Sequence, residues 1–213
     1  MLKIAEIFYS IQGESSYTGF PCIFVRLAGC NLRCLYCDTE YSYEEKYTLS
    51  VEDVFEKIKQ YLPTRLIEIT GGEPLLQPEV YDLISLLISE NYTVLLETNG
   101  SVLLDKVPSE TVIIMDIKCP SSNQAHSFER KNLTYLKSEI DEIKFVLADR
   151  RDYDFALQQI KDYHLDDFKI LFSPITTSLD PAKLAEWMLR NHLDHRLQIQ
   201  LHKVIWGADC SGV

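Results

Sequence analysis

Apolar residues fall along this chain in short, nearly unbroken blocks separated by stretches with a helical rhythm. The blocks at 22–28, 65–70, 93–98, 112–117, 142–147, 168–172 and 197–201 are rich in Ile, Leu, Val and Phe. Such runs mark strands buried on both faces of a parallel sheet. Between them, a helix is predicted from Ser50, with Asp53 three residues on as a capping-box variant. Val54, Ile58, Tyr61 and Leu62 follow at helical spacing. Further helices are predicted at about 78–90 and 152–163, and one more is opened by Asp180-Pro181, a cap residue before a proline at the first helical position. The alternation predicts an α/β fold: an open, partial (β/α) barrel of about six parallel strands joined by right-handed crossovers. Function is then expected in the loops that follow the strands. No repeat, low-complexity tract or long linker interrupts the 213 residues, so a single domain over 1–213 is expected.

Charge narrows the partners. The net charge is −11 and the pI about 4.9. Such a surface repels phosphate backbones, so nucleic acid is excluded as a default partner and a small molecule is expected. No apolar run approaches the roughly 20 residues of a membrane helix. The first residues, Met1-Leu2-Lys3-Ile4-Ala5-Glu6, meet an acid too early for a signal peptide, so a cytoplasmic location is expected. In that compartment six cysteines argue for metal or redox chemistry over disulfides.

Three of those cysteines share one loop, Gly29-Cys30-Asn31-Leu32-Arg33-Cys34-Leu35-Tyr36-Cys37-Asp38-Thr39. Cys30, Cys34 and Cys37 can converge on a soft metal, and three thiolates leave one corner of a four-iron cluster open to another ligand. The spacing also fits one face of a helix, but Gly29, Asn31 and Asp38 suit a turn better. A structural zinc site needs a fourth Cys or His nearby. Cys22 lies inside the preceding strand, and His126 is far along the chain.

The CxxxCxxC spacing, with aromatic Tyr36 before the last cysteine, resembles the signature of the radical S-adenosylmethionine superfamily. That resemblance implies a [4Fe–4S] cluster whose open iron binds S-adenosylmethionine. Thr70-Gly71-Gly72-Glu73-Pro74 lets backbone approach a ligand closely and resembles the superfamily's GGEP motif, which binds the methionine amine near Gly72. Glu97-Thr98-Asn99-Gly100 and Asp116-Ile117-Lys118 end successive strands. A carboxylate at an apolar strand end needs a partner, and a structural Asp116–Lys118 ion pair is the plain alternative to ligand contact.

Further upstream, Gln12 and Glu14 flank a glycine, and Arg26 lies inside an apolar block. A buried guanidinium demands an anion: Glu6 or Glu14, or a substrate carboxylate gripped bidentately. The run Ile11-Gln12-Gly13-Glu14, with Arg26, the cysteine loop and the later motifs, closely resembles the 7-carboxy-7-deazaguanine synthases of the queuosine and deazapurine pathway. Leu201-His202-Lys203 and Trp206-Gly207 resemble that family's ending. The resemblance spans nearly the whole chain.

It implies a radical ring contraction of 6-carboxy-5,6,7,8-tetrahydropterin with loss of ammonia. It places Ile11, Gln12, Gly13, Glu14, Arg26, Thr70 and the terminal Val213 at the pterin. Tyr36, Cys37, Asp38, Gly72, Glu97, Asp116, Ile117 and Lys118 fall at S-adenosylmethionine, and Thr39 at Mg²⁺, a hard cation suited to a hydroxyl ligand. From the residue alone, Thr39 reads as a cap. The resemblance also implies an electron donor such as flavodoxin or ferredoxin, and a homodimer. Two features depart from the pattern: Tyr43 stands where many relatives carry tryptophan, and the cluster loop is short. Cys119 and Cys210 have no assigned role, while His126, His164, His192 and His195 are expected on the surface and His202 near the site. Two other functions fit part of the pattern. A glycyl-radical activase needs a protein-docking groove, and an electron-transfer protein needs a fourth cluster ligand.

Overall fold

A computed structural model describes residues 1–207 and Gly212. Its strands are β1 (Leu2–Ile11), β2 (Pro21–Leu27), β3 (Tyr47–Leu49), β4 (Leu66–Gly71), β5 (Thr93–Thr98), β6 (Val112–Asp116), β7 (Glu142–Leu147), β8 (Lys169–Pro174) and β9 (Arg196–Leu197). The helices are α1 (Val51–Lys59), α2 (Val80–Ser89), α3 (Arg150–Tyr163), α4 (Pro181–Arg190) and α5 (Leu201–Trp206). The strands form one sheet in the order β3-β1-β2-β4-β5-β6-β7-β8-β9. From β2 onward every pairing in that order is parallel. Strands β3 and β9 end the order without pairing to each other, so the sheet is open as predicted. Among the described residues no helix is long and apolar enough to cross a membrane.

Alternation along each strand divides the sheet into two faces. Ile23, Val25 and Leu27 of β2, Ile67 and Ile69 of β4, Val94 and Leu96 of β5, and Ile143 and Phe145 of β7 join one buried core with the helices. On α1 the buried positions are Val54 and Ile58, one turn apart, and Ser50 caps the helix by accepting from Asp53 N at 3.0 Å. The opposite face carries Phe24, Arg26, Glu68, Thr70, Glu97, Asp116 and Lys144, which all line one cavity.

The sheet curves enough for the segment after β1 to reach the far strands. Ser16 N donates to both carboxylate oxygens of Glu142 on β7, at 3.0 and 3.1 Å. Leu201 N donates to Gly13 O at 2.9 Å.

Three expectations change. The antiparallel strand β1 is absent from the blocks read above, because Glu6, Tyr9 and Ser10 break its apolar pattern. The block at 197–201 forms strand only over Arg196–Leu197. Beyond it the chain is drawn to the loop after β1, with Gln198 Nε2 donating to Gly13 O at 3.3 Å, and α5 starts at Leu201. Finally, β5 and β6 are joined without an α-helix, and β6 and β7 through the short 3₁₀ turns Pro120–Ser122 and Arg130–Thr134, so strand–helix alternation is interrupted mid-chain.

Candidate functional site

A cavity of about 590 Å³ opens at the C-terminal ends of the parallel strands. The cysteine loop, which follows β2, forms one wall. Cys30, Cys34 and Cys37 all line the cavity, and the described cysteines are free. Burial pushes the Cys30 and Cys34 thiols up, while the Lys118 ammonium works the other way. Asn99 Nδ2 lies 3.9 Å from Cys30 Sγ. Among the described residues no group of three or more Cys, His, Asp or Glu side chains is already drawn into a metal cage. The fit of a cluster therefore rests on three soft ligands in one loop that all line one cavity.

The loop after β4 packs directly on the cysteine loop. Glu73 N donates to Gly29 O at 2.9 Å and Gly72 N to Leu27 O at 3.2 Å. A Cβ at Gly72 would collide with Gly29 O and Cys30 Cβ, so only glycine permits this approach. Glu73 is buried and accepts from Asn99 N at 2.8 Å, from Leu75 N at 3.1 Å and from the Thr98 hydroxyl. Burial nonetheless pushes its carboxyl up to about 7. It ties the loops after β4 and β5 together.

Strand-borne charges form the opposite wall. Lys144 of β7 is 5% exposed, and its ammonium meets Glu14 at 3.0 Å, Asp116 at 3.8 Å and Glu97 in a shorter contact. Burial opposes the ammonium, yet these three carboxylates hold its pKa well above the usual lysine value. Burial likewise opposes the Glu97 carboxylate, but Lys144 and a 3.0 Å bond from the Thr70 hydroxyl bring it down to about 2. Arg26 pairs with Glu6 at 2.8 Å, and Tyr41 donates to the same Glu6 oxygen at 2.7 Å. Of the two protein partners foreseen for Arg26, Glu6 is therefore the one it meets, while Glu14 is held by Lys144. The foreseen Asp116–Lys118 ion pair is present at 2.8 Å, and both side chains still line the cavity. Asp38 meets Lys203 at 2.7 Å.

The predicted residues Ile11, Gln12, Gly13, Glu14, Arg26, Tyr36, Asp38, Thr39, Thr70, Gly72, Glu97, Asp116 and Lys118 all line this cavity with the three cysteines. Thr39 precedes the 3₁₀ turn Glu40–Tyr43 but makes no side-chain cap bond; its hydroxyl instead hydrogen-bonds Cys37 Sγ at 3.7 Å. Ile117 does not line the cavity. Alternation sends its side chain into the core, and its N–H is used by Lys144 O at 2.9 Å. Cys210 and Val213 lie outside the described residues. Cys22 and Cys119 are buried in the interior, and His195 packs edge-on against Phe172 rather than lying free on the surface. His202 lines the cavity, and a Cβ at Gly13 would collide with its ring. Tyr43, at the departure from the family pattern, lies under the Arg33 guanidinium at 4.2 Å.

Sequence reasoning missed Lys144 and Glu68. Their signal was present: Glu142-Ile143-Lys144 and Glu68-Ile69-Thr70 alternate polar and apolar within strands that read as continuous apolar blocks. It also missed Gln200 and Lys203, which reach Glu14 and Asp38.

A family model described as the Radical SAM superfamily matches residues 25–115. The chain is 43% identical over 227 residues to the 7-carboxy-7-deazaguanine synthase of Koribacter versatilis, covering 100% of both. It is 43% identical over 215 residues to that of Chlorobaculum tepidum, covering 100% of this chain and 97% of the relative. Among solved structures, QueE from Escherichia coli superposes with a TM-score of 0.77 at 25% identity, covering 94% of each chain.

Proposed function

Because the chain belongs to the 7-carboxy-7-deazaguanine synthase family of radical S-adenosylmethionine enzymes, we propose how its own residues serve that reaction. The enzyme is a lyase that contracts 6-carboxy-5,6,7,8-tetrahydropterin to 7-carboxy-7-deazaguanine with loss of ammonia, a step of deazapurine and queuosine biosynthesis. The observation that carries the assignment of roles is one cavity holding the three-cysteine loop against a wall of strand-borne charges.

Cys30, Cys34 and Cys37 would hold a [4Fe–4S] cluster. S-adenosylmethionine bound there would supply the radical chemistry of the reaction. The Gly72 loop, pressed on Gly29 and Cys30, would hold the methionine end of that cofactor through its backbone. Tyr36, Asp38, Asp116 and Lys118 line the space around it. The Thr39 hydroxyl, free of a cap bond, would ligate Mg²⁺.

Arg26 and Lys144 orient the substrate. Arg26 leaves its Glu6 partner in part to take the substrate carboxylate, a planar anion that matches the guanidinium fork. Lys144 pairs with Glu14, Glu97 and Asp116 and holds Glu97 ionised as a hydrogen-bond acceptor beside the ring. Thr70 fixes Glu97. An external donor such as flavodoxin or ferredoxin supplies the electron. A homodimer in the cytoplasm, where thiols stay reduced, completes the reading.

The test is anaerobic. The protein is reconstituted with iron and sulfide, given dithionite, S-adenosylmethionine, Mg²⁺ and 6-carboxytetrahydropterin, and the products are followed by mass spectrometry. A carboxy-deazaguanine that disappears in Cys34→Ala is expected. 5′-Deoxyadenosine without any deazapurine would sink the substrate assignment.

A further inference from the structure

One carboxyl in the cavity has no part in this reading. Glu68, on β4, is 6% exposed and faces the cavity beside Phe24 of β2, its partner in the ladder. The other cavity carboxylates, Glu6, Glu14, Asp38, Glu97 and Asp116, each have a cation within 4.0 Å. No ion pair to Glu68 is formed among the described residues. Gln12 Nε2 donates to Glu68 Oε2 at 2.5 Å, and Gln12 is itself held because its Oε1 accepts from Glu14 N at 3.1 Å. Burial first, and then the Glu97 and Glu14 carboxylates, push the Glu68 carboxyl up to about 8. An acid kept in a buried site without a matching cation costs stability. Its retention is explained when a ligand brings the donors.

Two further features say which donors. Phe8 and Phe24 stack at 4.8 Å with their planes 9° apart, and both line the same end of the cavity, which offers a flat apolar surface to a planar ring. Arg26 and Thr70 lie two residues further along the same pair of strands, roughly 6.6 Å away at about 3.3 Å per residue. That spacing suits the length of a fused bicycle with a carboxylate at one end and a 2-amino-4-oxo-pyrimidine at the other.

We propose that Glu68, oriented by Gln12, is the specificity-determining residue that accepts the 2-amino and adjacent ring N–H donors of the substrate and of the deazaguanine product. The proposal rests on the substrate reading above. It assigns the two ends of the ring to different rows of the cavity: the carboxylate to Arg26, the guanine-like edge to Glu68.

The reconstituted holoenzyme is titrated with 7-carboxy-7-deazaguanine and with its analogue lacking the 2-amino group, 7-carboxy-7-deazahypoxanthine. The wild type is expected to bind the first roughly 10-fold more tightly, the effect of one hydrogen bond. Glu68→Leu should abolish that preference and leave the cluster absorbance and its response to S-adenosylmethionine unchanged. Should Glu68→Leu fail to fold, Glu68→Gln is measured the same way and should keep only part of the preference. Equal affinities in the wild type, or a full preference in either variant, overturn the proposal. Conversion of carboxytetrahydropterin by the same wild-type preparation is scored separately. Turnover without the preference sinks Glu68 alone, whereas no deazapurine at all sinks the substrate reading.

Discussion

The two faces of the sheet are made by the same strands and obey opposite rules. The helix-covered face is Ile, Val, Leu and Phe, and each side chain there is replaceable by another of similar volume. The cavity face carries Arg26, Glu97, Asp116 and Lys144, each paired with an opposite charge, and Glu68 without a cation among the described residues. One residue of register separates a packing position from a chemical one. Apolar bulk on one face supplies the stability that lets the other keep buried charge.

Mutations sharpen that contrast. The largest effect is expected from Lys144→Met, which leaves Glu14 and Glu97 without their cation while Asp116 keeps Lys118. A stability loss of about 3–5 kcal/mol in chemical denaturation should accompany loss of turnover. Phe145→Ala, the next residue but on the other face, should cost a similar 3–5 kcal/mol through its cavity. Its turnover per folded molecule should stay close to wild type, and a collapse there would break the division of labour between the faces. Acid supplies a third test. Glu97 is held down to about 2 from an ordinary value of 4.5, so its contribution is fully present above pH 4.5 and is lost as pH falls toward 2. Glu97→Gln should flatten the fall of melting temperature over that window, and an unchanged slope would count against the Lys144 pairing. Smallest is Ser50→Ala, at the cap of α1, with a loss of about 1 kcal/mol and no change in kinetics.

The helix-covered face was legible in the sequence because burial there is periodic and chemically uniform. The cap at Ser50, the start at Pro181 and the limits of β5 and β7 follow from it. The cysteine loop was legible because its ligands are local in the chain. Lys144 was legible only as far as its face, through its alternation with Ile143. Its partners Glu14 and Glu97 lie 130 and 47 residues away, and nothing local marks that company. Strand β1 was hidden for a related reason. It pairs with β2 and β3 at one side of the sheet and turns Glu6 and Phe8 to the cavity and Lys3 and Tyr9 to solvent, so the apolar run is broken.

The seam across the cavity joins residues very distant in the chain: Gln200 reaches Glu14 over 186 positions, and Ser16 reaches Glu142 over 126. Contacts with such long loops close late in folding, because their chain entropy is spent before they give anything back. The strand ladder and its helices therefore assemble first, and the binding chamber is sealed last. By the same token the seam opens first. Amide exchange at Leu201, whose N–H crosses to Gly13, should outpace exchange at Ile69 in the ladder, so entry to the chamber and departure from it need only the seam to part, with the core intact.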